Sequence, residues 1–321
     1  MIFQSASLTS TADIAKLWQQ LDNERLREFL RADVICLRLD LLDQEAPGNK
    51  LFKLQGYLNQ AAAQGVRRIV SFGGAWSNHL HALAAVGRSH NIETVGLVRG
   101  ELHQQLTPML ADAQAMGMHL VPVTRAEYRR KDEPEYLDAI AATYGPCLVV
   151  PEGGAGLSGL EGCLALADLL QTCPTVGGPV VLGVGTGTTL AGLVAGLEGA
   201  REVIGVSALK GADDLSHRVR SLLSESGYSD SGRWRIEHDY HCGGFARASA
   251  ELKSFMLDCE AAGGPPLEPV YTGKTLFGLR DMVNNGRLSA AEPIIFIHTG
   301  GLQGRRGYSW LDPINTVTGR I

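Results

Sequence analysis

Apolar and polar positions follow two rhythms along this chain, and the rhythms take turns. "RRIVSF" (67–72) is a short apolar run of the kind a buried strand presents. "SNHLHALAAVGRSH" (77–90) repeats its apolar residues at helical spacing, with Ser77 or Asn78 placed to cap it. "ETVGLVRG", "HLVPV" and "CLVVPEGG" predict further strands, and "QQLTPMLADAQAMG" and "PEYLDAIAATYG" the helices among them. The alternation continues through "LSGLEGCLALADLLQTC" (helix), "PVVLGVG" (strand), "TTLAGLVAGLEG" (helix), "VIGVSAL" (strand) and "DLSHRVRSLLSESG" (helix). It closes with the helix "GKTLFGLRDMVNNG" and the strand "PIIFIHTGG". Strands rich in Val and Ile on both faces, joined by helices, predict an α/β fold of open, mostly parallel sheets with helices on both faces. Such folds bind ligands beyond the carboxyl ends of their strands, so the chemistry is expected just after strands.

Three of those strand ends run into glycine. In "VVLGVGTGTTLAG" (180–192) the glycines turn backbone N–H groups toward an anion, and the following helix start and the Thr hydroxyls add to the attraction. The segment has no G-K-[ST] ending, and Thr188 breaks the G-x-G-x-x-G pattern. A single phosphate group therefore suits it better than a nucleoside triphosphate or a dinucleotide. "SFGGAWSNHLH" (71–81) offers a second helix start, suited to a carboxylate or to simple capping. Its two histidines, His79 and His81, fall on different faces of a helix, so no metal is expected there. "VPEGGAGLSG" (150–159) contains no G-x-S-x-G, which removes a hydrolase elbow. A fourth feature is "EAPGNKLFKL" (45–54), in which Lys50 stands where the chain leaves a Pro-Gly turn and enters a helix. A solvated surface lysine and a lysine kept for its amine chemistry both fit that tripeptide.

Composition narrows the classes. At 321 residues the chain is long for one core, so two lobes are expected, with the Pro-Gly turn near 47 and the Gly-rich segment 153–159 as crossings. A formal net charge of -5 and the lack of a long basic run exclude a nucleic-acid partner. Six scattered cysteines form no C-x-x-C pair. The opening residues do not read as a signal peptide, and no run nears the roughly 20 apolar residues of a membrane span. Cytoplasm is the expected location. A phosphate cradle, a carboxylate cradle and a lysine leaving a turn together point to pyridoxal 5'-phosphate, which needs an amine for its aldehyde and an anion site for its phosphate.

These segments resemble the fold-type II pyridoxal-phosphate enzymes, and within them the 1-aminocyclopropane-1-carboxylate (ACC) deaminase / D-cysteine desulfhydrase group. "GNKLFKL" is similar to G-N-K-x-R-K-L, "GGAWSNH" to G-G-x-Q-S-N-H, and "PEGG" to the same turn in the family. "GTGTTLAGL", "DYHCGGFA" (239–246), "EPVYTGKTLFGL" (268–279) and "FIHTGG" (296–301) continue the match in order. The resemblance implies a two-lobed, tryptophan synthase β-like fold. It places residues 1–46 and 155–321 in a large cofactor-binding domain and 47–154 in a small inserted one. It implies that Lys50 bears the cofactor, that Lys53, Thr186, Gly187, Thr188 and Thr189 hold the phosphate, that Asn78 meets the phenolic oxygen, and that Thr299 stands by the pyridine nitrogen. Lys50, Ser77 and Tyr271 become the catalytic candidates. Trp76, Ser77, Asn78, His79, Tyr271 and Phe296 are expected around the substrate.

The departures concern specificity. Phe52 replaces an Arg, Trp76 a Gln, and Ala155 a Ser of the family pattern. Phe296 stands where ACC deaminases are expected to carry a second tyrosine. The implied activity is a lyase reaction on a small amino acid, D-cysteine desulfhydrase-like β-elimination giving pyruvate and ammonia. ACC deaminase is the alternative within the family, and a pyridoxal-phosphate-binding protein with little catalysis is the alternative outside it. A homodimer is the expected assembly.

Overall fold

The computed structural model describes residues 11–102, 104–174 and 178–311. Its strands, in chain order, are β1 (Trp18–Gln20), β2 (Val34–Arg38), β3 (Arg68–Gly73), β4 (Glu93–Arg99), β5 (His119–Val123), β6 (Leu148–Val150), β7 (Val180–Val184), β8 (Val203–Ser207), β9 (Trp234–Glu237) and β10 (Ile294–His298). Contacts divide the chain into two compact units, residues 11–43 with 164–302, and residues 44–163 with 303–311. The sequence reading set the inserted domain at 47–154.

In the first unit six strands run in the order β1-β2-β10-β7-β8-β9. The edge strand β1 pairs antiparallel and every other pair is parallel. β7, β8 and β10 are buried along their whole length, which is why they read as continuous Val/Ile runs rather than as alternating ones. β1, β2, β9 and the helix Ala250–Ala261 lie outside the elements that the hydrophobic pattern predicts. β1 and β9 are sheet edges with half-exposed residues, so their apolar signal is weak. The helix Thr188–Leu197 packs closely at Gly196, where a Cβ would fall 2.5 Å from that of Ala167.

The second unit holds a parallel sheet in the order β5-β4-β3-β6. Its two faces make separate cores, as the period of two requires. Ile69, Val98 and Leu120 pack with Leu54, Leu83 and Leu110 on one side. Val70, Phe72, Val95 and Leu97 pack with Tyr128 and Ile140 on the other. The helix predicted over "QQLTPMLADAQAMG" begins only at Pro108, capped by Thr107. A residue before proline is driven out of the α region, so Thr107 cannot continue a helix backward.

One crossing fixes the start of the helix Lys50–Gln64. A Cβ on Gly56 would lie 1.7 Å from the Ser158 carbonyl oxygen, and one on Gly162 2.0 Å from that of Phe52. Two glycines therefore let this helix and the first turns of the helix Leu157–Gln171 meet backbone to backbone. The contact seats Lys53 against the turn at residues 152–156.

Candidate active site

Lys50 is the first residue of its helix, after Asn49 and a Gly48 with φ of 99° that only glycine adopts easily. Its side chain is half-buried, and Nζ donates to Asn49 Oδ1 at 3.3 Å. Lys53, one turn on, is 3% exposed and donates to the Gly153 carbonyl at 3.1 Å. Burial, with the charge of Lys50 in support, pulls the Lys53 amine down to about 7. Gly154 closes over this group with φ of 67°, and a Cβ there would sit 3.2 Å from Lys53 Cβ and 3.6 Å from His79 Cε1.

His79 is 3% exposed. Its Nε2 lies 2.8 Å from Ser71 Oγ, and the Ser71 hydroxyl donates to the Val150 carbonyl at 2.7 Å. Ser71 has one hydrogen and has given it away, so His79 must donate from Nε2 and keep a bare Nδ1. That Nδ1 has no hydrogen-bond partner. Burial and then the two lysines hold the ring neutral, with its pKa lowered to about 3. Lys50, Lys53, His79 and the P-E-G-G turn are therefore brought together.

Ser77 caps the helix Asn78–His90, and its Oγ accepts from Leu80 N at 3.2 Å. The approach demands Gly73, because a Cβ there would fall 2.6 Å from Ser77 Oγ. Asn78 Oδ1 is buried with no hydrogen-bond partner, so the helix start presents an unused acceptor. Trp76 is 42% exposed and lays its ring on Gly307, where a Cβ would stand 3.0 Å from ring atoms.

In the other unit, the turn after β7 reaches Gly187 at φ of 87° and starts the ten-residue helix Thr188–Leu197. Thr186 Oγ1 and Thr188 Oγ1 are 3.2 Å apart, and Thr188 and Thr189 are buried. Tyr271 packs on this turn: a Cβ on Gly185 would lie 2.9 Å from its Oη, and one on Gly183 3.1 Å from its Cβ. The buried Glu268 carboxylate accepts from the N–H groups of Val270, Tyr271 and Thr272, each at 2.7 Å, and so sets the turn that carries the tyrosine.

Thr299 follows β10 and is 9% exposed. Behind it His298, fully buried, stands 2.9 Å from Asp40, which Arg38 also grips through two nitrogens at 2.8 and 2.6 Å. Burial alone would raise the Asp40 carboxyl, but His298 and Arg38 outweigh it and hold it well below the usual carboxylate range.

Phe296 is 0% exposed in the middle of β10, with its ring edge-on to His298 at 6.1 Å. The phenylalanine that meets Tyr271 is Phe245, 53% exposed, with ring centroids 6.2 Å apart and planes at 69°. Its block, "DYHCGGFA", stands out in the sequence, but no periodicity singles out its aromatic residue. Among the described residues no group of His, Cys, Asp or Glu is placed to hold a metal. No described helix is long and apolar enough to cross a membrane.

The sequence profile of the family described as "pyridoxal-phosphate dependent enzyme" matches residues 21–300. A Thermotoga maritima protein, provisionally named a 1-aminocyclopropane-1-carboxylate deaminase, is 30% identical over 88% of this chain and 92% of its own. The D-cysteine desulfhydrase of Salmonella choleraesuis is 29% identical over 86% of this chain and 89% of its own. A crystal structure of an "ACC deaminase homologue" superposes with a TM-score of 0.81 at 26% identity, over 92% of this chain and 93% of that one. The α/β architecture with mostly parallel sheets is shared with it.

Proposed function

We propose that this chain, which belongs to the pyridoxal-phosphate-dependent enzymes, is a lyase that removes a β-substituent from a small amino acid in the manner of a D-cysteine desulfhydrase. D-cysteine and water would give pyruvate, ammonia and hydrogen sulfide, which balances in atoms and electrons. The residue that carries the choice within the family is Phe296, which has no hydroxyl where the ACC deaminases are expected to carry a second tyrosine; Phe245, the ring beside Tyr271, supplies none either.

The residues fit the cofactor. A half-buried amine at the start of a helix, a buried second amine, a Gly-Thr turn at a helix start and the unused oxygen of Asn78 are the groups it requires. Lys50 would carry it, Lys53 with Thr186, Gly187, Thr188 and Thr189 would hold its phosphate, and Asn78 and Thr299 would meet its ring. When bound, it draws away the electron pair left at Cα on loss of a proton. Lys50 takes that proton. Main-chain N–H groups of Ser77, Asn78 and His79 at the helix start hold the substrate carboxylate. Trp76 narrows the substrate space. Tyr271 passes a proton to the departing sulfur.

ACC deaminase is the second reading, supported by the names of several relatives and of the solved homologue. ACC has no Cα hydrogen, so its ring must open with a proton taken or given elsewhere. A missing acid or base costs roughly 10²–10⁴-fold in rate. Release of pyruvate from D-cysteine, L-cysteine and D-serine should be measured beside release of 2-oxobutanoate from ACC. D-cysteine is expected to react about a hundredfold faster than ACC. Equal turnover of ACC transfers the assignment to ACC deaminase. Bound cofactor without turnover of any of them favours a binding protein.

A further inference from the structure

Lys274 is 1% exposed and takes no part in the chemistry above. Its Nζ donates to two carbonyls, Gly244 at 2.7 Å and Ala208 at 3.3 Å. Among the described residues no carboxylate lies within ion-pair range of it. It also sits in the first turn of the helix Thr272–Asn284, where the helix dipole disfavours a cation. Cys242 and Glu268 attract it through space, and the two carbonyls are the groups it hydrogen-bonds.

The Gly244 carbonyl belongs to a loop that L-residues adopt reluctantly. Cys242 and Ala246 have φ of 49° and 56°, and Gly243 and Gly244 have φ of 97° and 114°. Such conformations persist only where surroundings impose them, and they gather at functional sites. Tyr240 anchors one end through Asp281 at 2.9 Å, and Ser249 caps the helix that follows. Within the loop, Gly243 N meets His241 Nδ1 at 3.1 Å, Gly244 N the His241 carbonyl at 2.9 Å, and Arg247 N the Gly244 carbonyl at 3.1 Å. The residue that the loop raises is Phe245, more than half exposed yet held edge-on to Tyr271.

We propose that Lys274 is a positioning residue: from the helix that begins behind Tyr271 it pins the carbonyl beside Phe245, and so fixes the Phe245 ring against Tyr271 as an apolar wall for the substrate. This rests on the role given to Tyr271. The wall selects amino acids whose β-substituent is small and uncharged.

Hydrogen exchange of the cofactor-loaded protein tests the pin without reference to any activity. In the wild type the amides of residues 243–247 should exchange at least tenfold more slowly than those of the exposed turn 229–232. Lys274→Met keeps the length of the side chain and removes its donors. It should speed exchange in 243–247 at least tenfold while β3 and β4 are unchanged. Its KM for the turned-over amino acid should rise about tenfold, with kcat within about threefold. Phe245→Ala should reproduce the KM rise, since it removes the wall itself. Exchange in folded Lys274→Met that stays as in the wild type, or that rises in β3 and β4 as well, overturns the pin. A KM unmoved in both variants overturns the wall. Should Lys274→Met not fold, the wild-type comparison decides alone, and loop amides as fast as those of 229–232 refute the proposal.

Discussion

Lys53 holds an amine inside the protein at the cost of its proton. Burial and the neighbouring Lys50 bring its pKa to about 7, against 10.5 for an ordinary lysine. The unfolded chain therefore binds more protons than the folded one between about pH 7 and 10.5. Stability from this group is greatest above that window, falls as pH drops through it, and is level below 7. An anion beside the amine reverses the preference, because it favours the charged form. If Lys53 holds the cofactor's phosphate, binding at pH 8.5 should draw protons onto it. Calorimetry in buffers of different ionisation enthalpy should show uptake of about half a proton or more per site in the wild type, and none in Lys53→Gln. Identical proton counts in the two proteins remove Lys53 from the phosphate.

Among the elements, glycine made the junctions legible and burial hid the walls. The strand-glycine-helix junctions at 71–78 and 180–189 could be read because each needs a glycine for close approach and a capping or hydroxyl residue for exposed N–H groups. Which side chains of β10 face a ligand cannot be read in the same way, because a parallel strand buried on both faces gives no sign of it. Phe245 lies in a loop set by local φ angles, where neither period applies. The contact of Gly56 with Gly162 is another such feature. Each glycine looks like a weak point in a helix until the crossing explains it. Gly162→Ala would place a methyl 2.0 Å from a carbonyl oxygen that has no freedom to leave. Overpacking of this kind costs about 1–3 kcal/mol, so thermal unfolding should come about 2–5 °C lower. An unchanged midpoint would mean that the two helices separate easily and do not seat Lys53.

Across the whole molecule, the mostly parallel six-stranded sheet, the parallel four-stranded sheet, the family profile spanning residues 21–300 and the superposition at a TM-score of 0.81 agree on a pyridoxal-phosphate enzyme. The assignment of that chemistry to one amine is the central claim. Lys50 leads its helix at the Pro-Gly turn, while Lys53 and Lys274 are buried on carbonyl oxygens. Borohydride reduction of the full-length protein loaded with pyridoxal phosphate fixes the cofactor to whichever amine carries it, and peptide mapping then reads the position. The account predicts one pyridoxyl group per chain on the peptide containing Lys50, and none in Lys50→Ala. A pyridoxyl group on Lys53 or Lys274, or a protein that takes up no cofactor at all, would contradict it.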